Sequence, residues 1–267
     1  MSTRILKLHV LASGSKGNCA LVEGPQGLVM IDAGLSRRET LARMHALGLD
    51  EGDVRALLVT HEHSDHVRGM PVWCKRFRGP VFASEGTLEA RQSLEGIAAE
   101  SFSPGDALDI AGMHIETFST SHDVVNPVGF RFSYHGDSIA FATDTGILTP
   151  ESLALLGDAR ILALESNHDV SMLKQGEYPA HLKARILSEK GHLSNAQTAE
   201  VVPQLVSERT EHVVAMHLSQ DNNRPSLAVR AIAAALDAEL LDEVGTQAAL
   251  DGLHIRAVGQ NRPISVG

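Results

Sequence analysis

Four candidate metal ligands, His61, His63, Asp65 and His66, fall within six positions of this chain, in His61-Glu62-His63-Ser64-Asp65-His66. The run before it, Val54-Arg55-Ala56-Leu57-Leu58-Val59-Thr60, is apolar and β-rich, and the stretch after it, residues 67–76, has helical character. The ligands therefore sit where a strand ends and a helix begins. His61 and His63, two apart in extended chain, can point to the same side. Asp65 and His66 lie past the turn and can address a neighbouring position. Imidazole with carboxylate suits zinc, and also manganese or iron.

A catalytic metal site needs about three protein ligands and an open position, and two sites need more than this segment offers. Further along the chain the same placement recurs. Asp32 closes the apolar run 28–31, His122 follows 114–119, Asp144 follows 138–143, and His217 follows 213–216. This recurrence says more than any one of these residues.

Short apolar strands alternate with amphipathic helical stretches, the pattern of a layered α/β domain. Strands are expected at residues 5–11, 20–22, 28–31, 56–60, 81–83, 114–119, 128–134, 138–142, 161–164 and 212–216, with a last one at 253–258. Helices are expected at 37–47, 67–76, 86–94, 150–156, 179–188, 195–206 and 225–236. Tight-turn signals, Gly24-Pro25-Gln26-Gly27 and His135-Gly136-Asp137, separate strand pairs. Nothing marks a linker, so residues 1–267 read as one domain. A hydrophobic fraction of 43% is enough for a sizeable core.

The ordered set of Asp32, the His61–His66 segment, His122, Asp144 and His217 resembles the five signature motifs of the metallo-β-lactamase superfamily. The resemblance implies a four-layer αββα sandwich of two mixed sheets with a binuclear site at one edge. It implies that His61, His63 and His122 hold one ion, and that Asp65, His66 and His217 hold the other. Asp144 would bridge the two, and Asp32 would orient the ligands by hydrogen bonding. The fold hosts lactam, thioester and phosphodiester hydrolysis, so the branch must come from other residues.

Two segments point to phosphodiesters. Gly191-His192-Leu193-Ser194-Asn195 resembles the ribonuclease Z branch segment whose histidine lies near the scissile phosphate, and Glu165-Ser166-Asn167-His168-Asp169 resembles the loop whose glutamate supports that histidine. The resemblance gives His192 as leaving-group acid or phosphate contact, Glu165 as its orienter, and Asp65 as proton acceptor or aligner. The plainer alternative is that His192 merely opens a helix beside an N-capping Ser194. Together with Leu11-Ala12-Ser13-Gly14-Ser15-Lys16-Gly17-Asn18-Cys19 and His217-Leu218-Ser219-Gln220-Asp221-Asn222-Asn223, these segments are similar to the YycJ/WalJ-like subgroup, bacterial proteins related to 5′-to-3′ exonucleases of DNA. The expected substrate contacts are then Ser15, Lys16, Asn18, Asn167 and Ser194. Two divalent ions, Zn²⁺ or Mn²⁺ with iron as a third choice, are the expected cofactors.

The remaining counts set limits. A net charge of −10 argues against a broad basic nucleic-acid face. Only 72 residues separate Asp144 from His217, with no room for the inserted clamp domain of larger nucleases. A small cyclic or alkyl phosphodiester, or a thioester, therefore stays open as substrate, and a non-catalytic metal-binding protein is the reading from a different class. Two cysteines, Cys19 and Cys74, are too few for a disulfide framework and point to the cytoplasm. The N-terminus lacks the features of a secretory signal, and no apolar run is long enough to span a membrane. Oligomeric state is left open.

Overall fold

The computed structural model describes residues 5–267. In chain order its strands are β1 (Lys7–Ala12), β2 (Cys19–Gly24), β3 (Gly27–Ile31), β4 (Val54–Val59), β5 (Val81–Ser84), β6 (Glu100–Phe102), β7 (Ala107–Ile110), β8 (Met113–Ser119), β9 (Val128–Tyr134), β10 (Asp137–Ala142), β11 (Ile161–Glu165), β12 (His212–Met216), β13 (Glu239–Leu240), β14 (Gln247–Leu250), β15 (Leu253–Ala257) and β16 (Ile264–Val266). The helices are α1 (Arg37–Ala46), α2 (Ser64–Val67), α3 (Met70–Trp73), α4 (Pro150–Leu156), α5 (Val170–Gln175), α6 (Ala180–Ile186), α7 (Asn195–Leu205) and α8 (Pro225–Ala235).

The strands form two mixed sheets, ordered β16-β1-β2-β3-β4-β5-β6 and β13-β14-β15-β12-β11-β10-β9-β8-β7. Period-2 alternation explains how each sheet is covered on both faces. In β4, Ala56 and Leu58 face the other sheet while Leu57 and Val59 face the outer helices, so residues 56–59 read as one unbroken apolar run. In β11, Ile161 and Ala163 join the space between the sheets, and Leu162 and Leu164 pack outward on the helical side. Three apolar layers result. The central one includes Leu8, Val10, Phe130 and Phe132; one outer layer gathers Met44 and Trp73; the other gathers Val202, Val229 and Ile232. This is the four-layer αββα sandwich that the sequence led us to expect.

The local departures have identifiable causes. The single helix expected over residues 67–76 is two separate turns, α2 and α3, broken at Arg68-Gly69. Gly69 donates its N–H to Ala33 O, and a Cβ there would lie 1.8 Å from Leu35 O, so the chain runs too close to the β3 loop to continue a helix. Residues 86–94 are not a helix either. Gly86 adopts φ +84°, and Leu88 and Leu94 reach the outer core from turns, with one 3₁₀ turn at Gln92–Leu94. Strands β6, β7, β13, β14 and β16 and helix α5 were not expected; they are short, and β6, β7 and β13 carry polar, exposed edges with little periodic signal.

Strands β3, β4 and β5 are mutually parallel, as are β10, β11, β12 and β15. β8 shares the direction of β10, because both pair antiparallel with β9. The C-terminal ends of β3 and β4 therefore meet those of β8, β10, β11 and β12 at one edge of the sandwich. A bond from Val128 N to Thr60 O, 3.1 Å, ties the sheets together there.

Candidate metal centre

Three of the site residues, two ligand candidates and the orienting Asp32, leave their strands in the left-handed backbone region: Asp32 (φ 59°), Asp144 (φ 57°) and His217 (φ 54°). That region is unfavourable for residues with a Cβ, although aspartate and histidine tolerate it better than most. Here it turns each side chain back over the sheet edge. The 61–66 loop is pinned by its backbone. His66 O accepts from Ala33 N (2.8 Å), Asp65 O accepts from Asn18 N (2.7 Å), and a Cβ on Gly34 would sit 1.7 Å from Asp65 O. Only glycine allows that approach.

The donor atoms converge in four overlapping groups: His61, His63 and His122; Asp65, His66 and His217; His61, His66 and Asp144; and Asp144, Glu165, His192 and His217. Within each group they lie within 4.8 Å of one another. The opposite ring nitrogens are held from outside. His66 Nδ1 meets Asp32 Oδ2 at 2.7 Å, His217 Nδ1 meets Glu165 Oε1 at 3.0 Å, His122 Nδ1 meets Gly191 O at 3.0 Å, and His61 Nδ1 meets Thr60 Oγ1 at 3.0 Å. Each pairing fixes a tautomer that turns Nε2 inward, the arrangement that metal-binding imidazoles require. His63 is the exception. Its Nδ1 lies 3.2 Å from His122 Nε2, so this is the nitrogen it presents to the cluster.

The electrostatics agree with that geometry. Burial, with His66 alongside, holds His61 well below the usual histidine range, and burial with His122 brings His63 down to about 4. Both keep a free lone pair near neutrality. Burial works against ionising Asp144, but His217 and His66 outweigh it and hold its carboxyl well below the ordinary range. Asp65 is likewise held at about 2 by His66 and His217 against the effect of burial. Conversely, burial opposes a charge on His66 and His217, yet Asp144 and its companion carboxylates push both up, His217 to about 10. The cluster is thus an ionised set of buried carboxylates that attracts positive charge. His61 Nε2, His217 Nε2 and Asp144 Oδ2 are buried and have no hydrogen-bond partner, which is costly for polar atoms out of water. Imidazole nitrogens and ionised carboxylates converging on one place are the donor set that a divalent metal ion takes up, its charge replacing the protons that the carboxylates otherwise draw onto His66 and His217.

Comparison with known proteins settles the family. A family model described as the beta-lactamase superfamily domain matches residues 28–218. The chain belongs to the metallo-β-lactamase superfamily. Within it, the chain groups with exodeoxyribonuclease YycJ of Bacillus anthracis, 37% identical over 236 residues covering 87% of this chain and 89% of that one. Exodeoxyribonuclease WalJ of Streptococcus pneumoniae is 34% identical, covering 85% and 87%. Among solved structures, the metallo-β-lactamase fold protein YhfI from Bacillus subtilis superposes with a TM-score of 0.70 over 98% of this chain and 99% of its own, at 13% identity. As a member of this superfamily the chain is a metal-dependent hydrolase.

A cleft of about 350 Å³ opens over the cluster and is lined by Asp65, His192, Ser15 and Asn167 among others. Three of the expected substrate contacts are placed elsewhere. Asn18 is buried beneath the ligands; its Nδ2 donates to Asp65 Oδ2 (3.1 Å) and lies 2.9 Å from His66 Nε2, so it positions them. Ser194 is the N-cap of α7, bonded to Gln197 in a reciprocal capping box. The Lys16 side chain is exposed away from the cleft lining, and its backbone N–H donates to Gln260.

Sequence reasoning missed that Glu165 serves two histidines. Oε1 meets His192 Nδ1 at 2.8 Å and His217 Nδ1 at 3.0 Å, while Oε2 accepts from Thr145 N and Leu193 N. Burial raises its pKa, but His192 and His217 bring it down to about 2. The signal was available: β11 and β12 pair in parallel with Glu165 opposite Met216, so Glu165 and His217 had to emerge side by side. Also missed were Thr60, which links Asp32 with His61 and His66, the rim residues Arg91, Tyr178 and Arg185, and Asp123, which Arg185 holds.

Proposed function

We propose that this chain, acting as one domain over residues 1–267, is a binuclear phosphodiester hydrolase that degrades DNA from an end, in the 5′-to-3′ manner of an exonuclease. The observation that carries the reading is the double grip of Glu165. One carboxylate oxygen orients both a cluster ligand, His217, and a cleft histidine that belongs to none of the triads of ligands, His192. A lactam or thioester hydrolase has no need of the second histidine. The names of the YycJ and WalJ relatives support DNA as the substrate.

In this reading His61, His63 and His122 would hold one ion and Asp65, His66 and His217 the other, and Asp144 would serve both. Zinc or manganese ions so held would supply Lewis acidity and lower the pKa of the attacking water. Asp65 takes or aligns that water's proton. His192 gives its Nδ1–H to Glu165, which leaves Nε2, facing the cleft, to carry the proton passed to the departing alcohol. Asn18 and Asp32 hold Asp65 and His66 in place, and Ser15 and Asn167 line the path to substrate. The unpaired cysteines Cys19 and Cys74 and a DNA substrate agree with a cytoplasmic enzyme. Among the described residues no helix is long and apolar enough to cross a membrane.

One observation favours a second reading: a cleft of about 350 Å³ in a chain of net charge −10 also fits a small cyclic or alkyl phosphodiester. The test is the metal-loaded enzyme on 5′-phosphorylated single- and double-stranded DNA, RNA, bis-p-nitrophenyl phosphate and a thioester. DNA is expected to be cleaved best. His192→Ala should keep its metal and lose about 10²- to 10⁴-fold in phosphodiester turnover. Full turnover by the metal-replete variant, or a preference for the thioester, overturns the proposal.

A further inference from the structure

The segment between β11 and α7 contains a helix whose packing the fold itself does not explain. None of the seven residues of α6 is buried, yet Leu182 and Ile186 turn toward the cleft. Leu182 and Ile186, four residues apart on α6, share one helical face, and Tyr178 stands just before the N-cap Pro179. All three line the cleft that leads to the His/Asp cluster. The segment is tied at its ends. Lys183 Nζ donates to Lys174 O (2.8 Å) and Gly176 O (2.6 Å), Tyr178 OH donates to Asp221 Oδ2 (2.8 Å), and Ile186 O accepts from His192 N (3.1 Å). An apolar and aromatic stripe is thus held beside the reaction centre.

Charge accompanies it. Residues 174–190 carry Lys174, Lys183, Arg185 and Lys190 against Glu177 and Glu189, a local excess of positive charge in a chain of net −10. The Arg185 fork grips the Asp123 carboxylate, with Nη2 2.9 Å from Oδ1. The same Oδ1 lies 3.6 Å from His122 Nε2 and 3.8 Å from His63 Nε2. Arg185 therefore reaches from α6 to the edge of the cluster. Guanidinium binds phosphate with the same two-pronged geometry as carboxylate. The Arg185 and Asp123 side chains are 50% and 33% exposed, and ion pairs so exposed contribute little, so exchanging one anion for another is easy. Across the cleft Arg91, anchored to Glu62 O at 2.9 Å, offers a second cation.

We propose that residues 174–190 form a nucleotide shelf: Tyr178 stacks on the terminal base of a single strand, Leu182 and Ile186 support that nucleoside, and Arg185 exchanges Asp123 for a phosphate of the strand. This rests on the hydrolase function proposed above and names the part of the chain that grips DNA in the absence of a clamp insert. The cleft volume is on the scale of one nucleotide, which fits the end of a single strand laid along the shelf.

The test is steady-state kinetics of the metal-loaded enzyme on a single-stranded decanucleotide and on bis-p-nitrophenyl phosphate. Tyr178→Ala should lower kcat/KM on the oligonucleotide about fivefold or more beyond any fall on the small ester, the range that base–aromatic stacking supplies. Tyr178→Phe, which keeps the ring and loses the bond to Asp221, should stay within about twofold of wild type. An oligonucleotide lacking its terminal base should slow the wild type by the same factor as Tyr178→Ala and slow that variant no further. Arg185→Ala should flatten the dependence of log KM on log salt by about 0.7, one phosphate contact on a single strand. If Tyr178→Ala and Tyr178→Phe are equally impaired, or the abasic penalty persists undiminished in Tyr178→Ala, the shelf is overturned while the hydrolase stands. A wild type that cleaves neither phosphodiester overturns the proposed function itself.

Discussion

The two sheets furnish the metal centre in different ways. The first delivers four candidate ligands on one loop of six residues, immediately after β4, and needs only close backbone contacts with the β3 loop and Asn18 to hold them. The second delivers His122, Asp144 and His217 one at a time, from the ends of β8, β10 and β12, and relies on long-range strand register to bring them together. A contiguous loop can keep its internal geometry through local rearrangement. A set assembled from separate strands depends on side chains that join them, and here those are Asp144, near ligands from both sheets, and Glu165, between two histidines of the second. The consequence is that damage on the second side should spread further.

Asp144 provides the largest test. Its Oδ2 lies 3.2 Å from His66 Nε2 of the first sheet, and its Oδ1 lies 3.5 Å from His217 Nδ1 and 3.7 Å from His122 Nε2 of the second. Asp144→Asn keeps the size and removes the charge that both halves share. Metal content is expected to fall below that of the wild type, to half or less, and phosphodiester turnover by about 10³-fold or more, corresponding to several kcal/mol of lost transition-state stabilisation. Elemental analysis of the purified variant alongside its kinetics checks both. Retention of the wild-type metal content would show that the halves bind independently.

A matched pair of substitutions compares the supports behind each side. Asp32 binds His66 Nδ1 (2.7 Å), Thr60 Oγ1 and Thr60 N (both 2.8 Å), all within the first half. Glu165 binds His217 and His192 through one oxygen, and two backbone N–H groups through the other. Asp32→Asn and Glu165→Gln should each weaken metal binding about 10- to 100-fold, the usual effect of losing a partner behind a ligand. Excess metal should restore turnover in Asp32→Asn. It should restore only part in Glu165→Gln, because the amide must turn an NH₂ toward donors and His192 loses its orientation as well. Metal titrations followed through kcat separate the two; equal rescue would remove His192 from the mechanism.

Much of this organisation was legible before any coordinates, for a physical reason. Strands buried on both faces, such as β4 and β11, announce themselves as unbroken apolar runs, and a polar ligand at the end of such a run stands out against it. Asp32, His122, Asp144 and His217 were found in that way. The parts that escaped were governed by close approach and by tertiary contact. The helix expected over 67–76 breaks at Gly69 because its N–H is taken by Ala33 O, and Asn18 went beneath the ligands although its loop pointed to substrate. Rim residues such as Tyr178 and Arg185 carry no motif; only the folded cleft gathers them.

Ser194 offers the smallest effect and bears on how the second side is built. Two readings competed for this residue, a contact with substrate and a helix cap, and the geometry favours the cap. Its Oγ accepts from Gln197 N (3.2 Å), and its own N–H donates to Gln197 Oε1 (2.9 Å), closing the first turn of α7 directly after His192-Leu193. Replacing an N-cap serine by alanine costs about 1 kcal/mol, which for a chain of this size lowers Tm by about 2–4 °C. Ser194→Ala should therefore melt a few degrees early with KM for oligonucleotide within about twofold of wild type, since the backbone bond from Leu193 N to Glu165 still holds the neighbouring loop. A large rise in KM at unchanged Tm would return Ser194 to the substrate and make the second half of the site a binding surface as well as a scaffold.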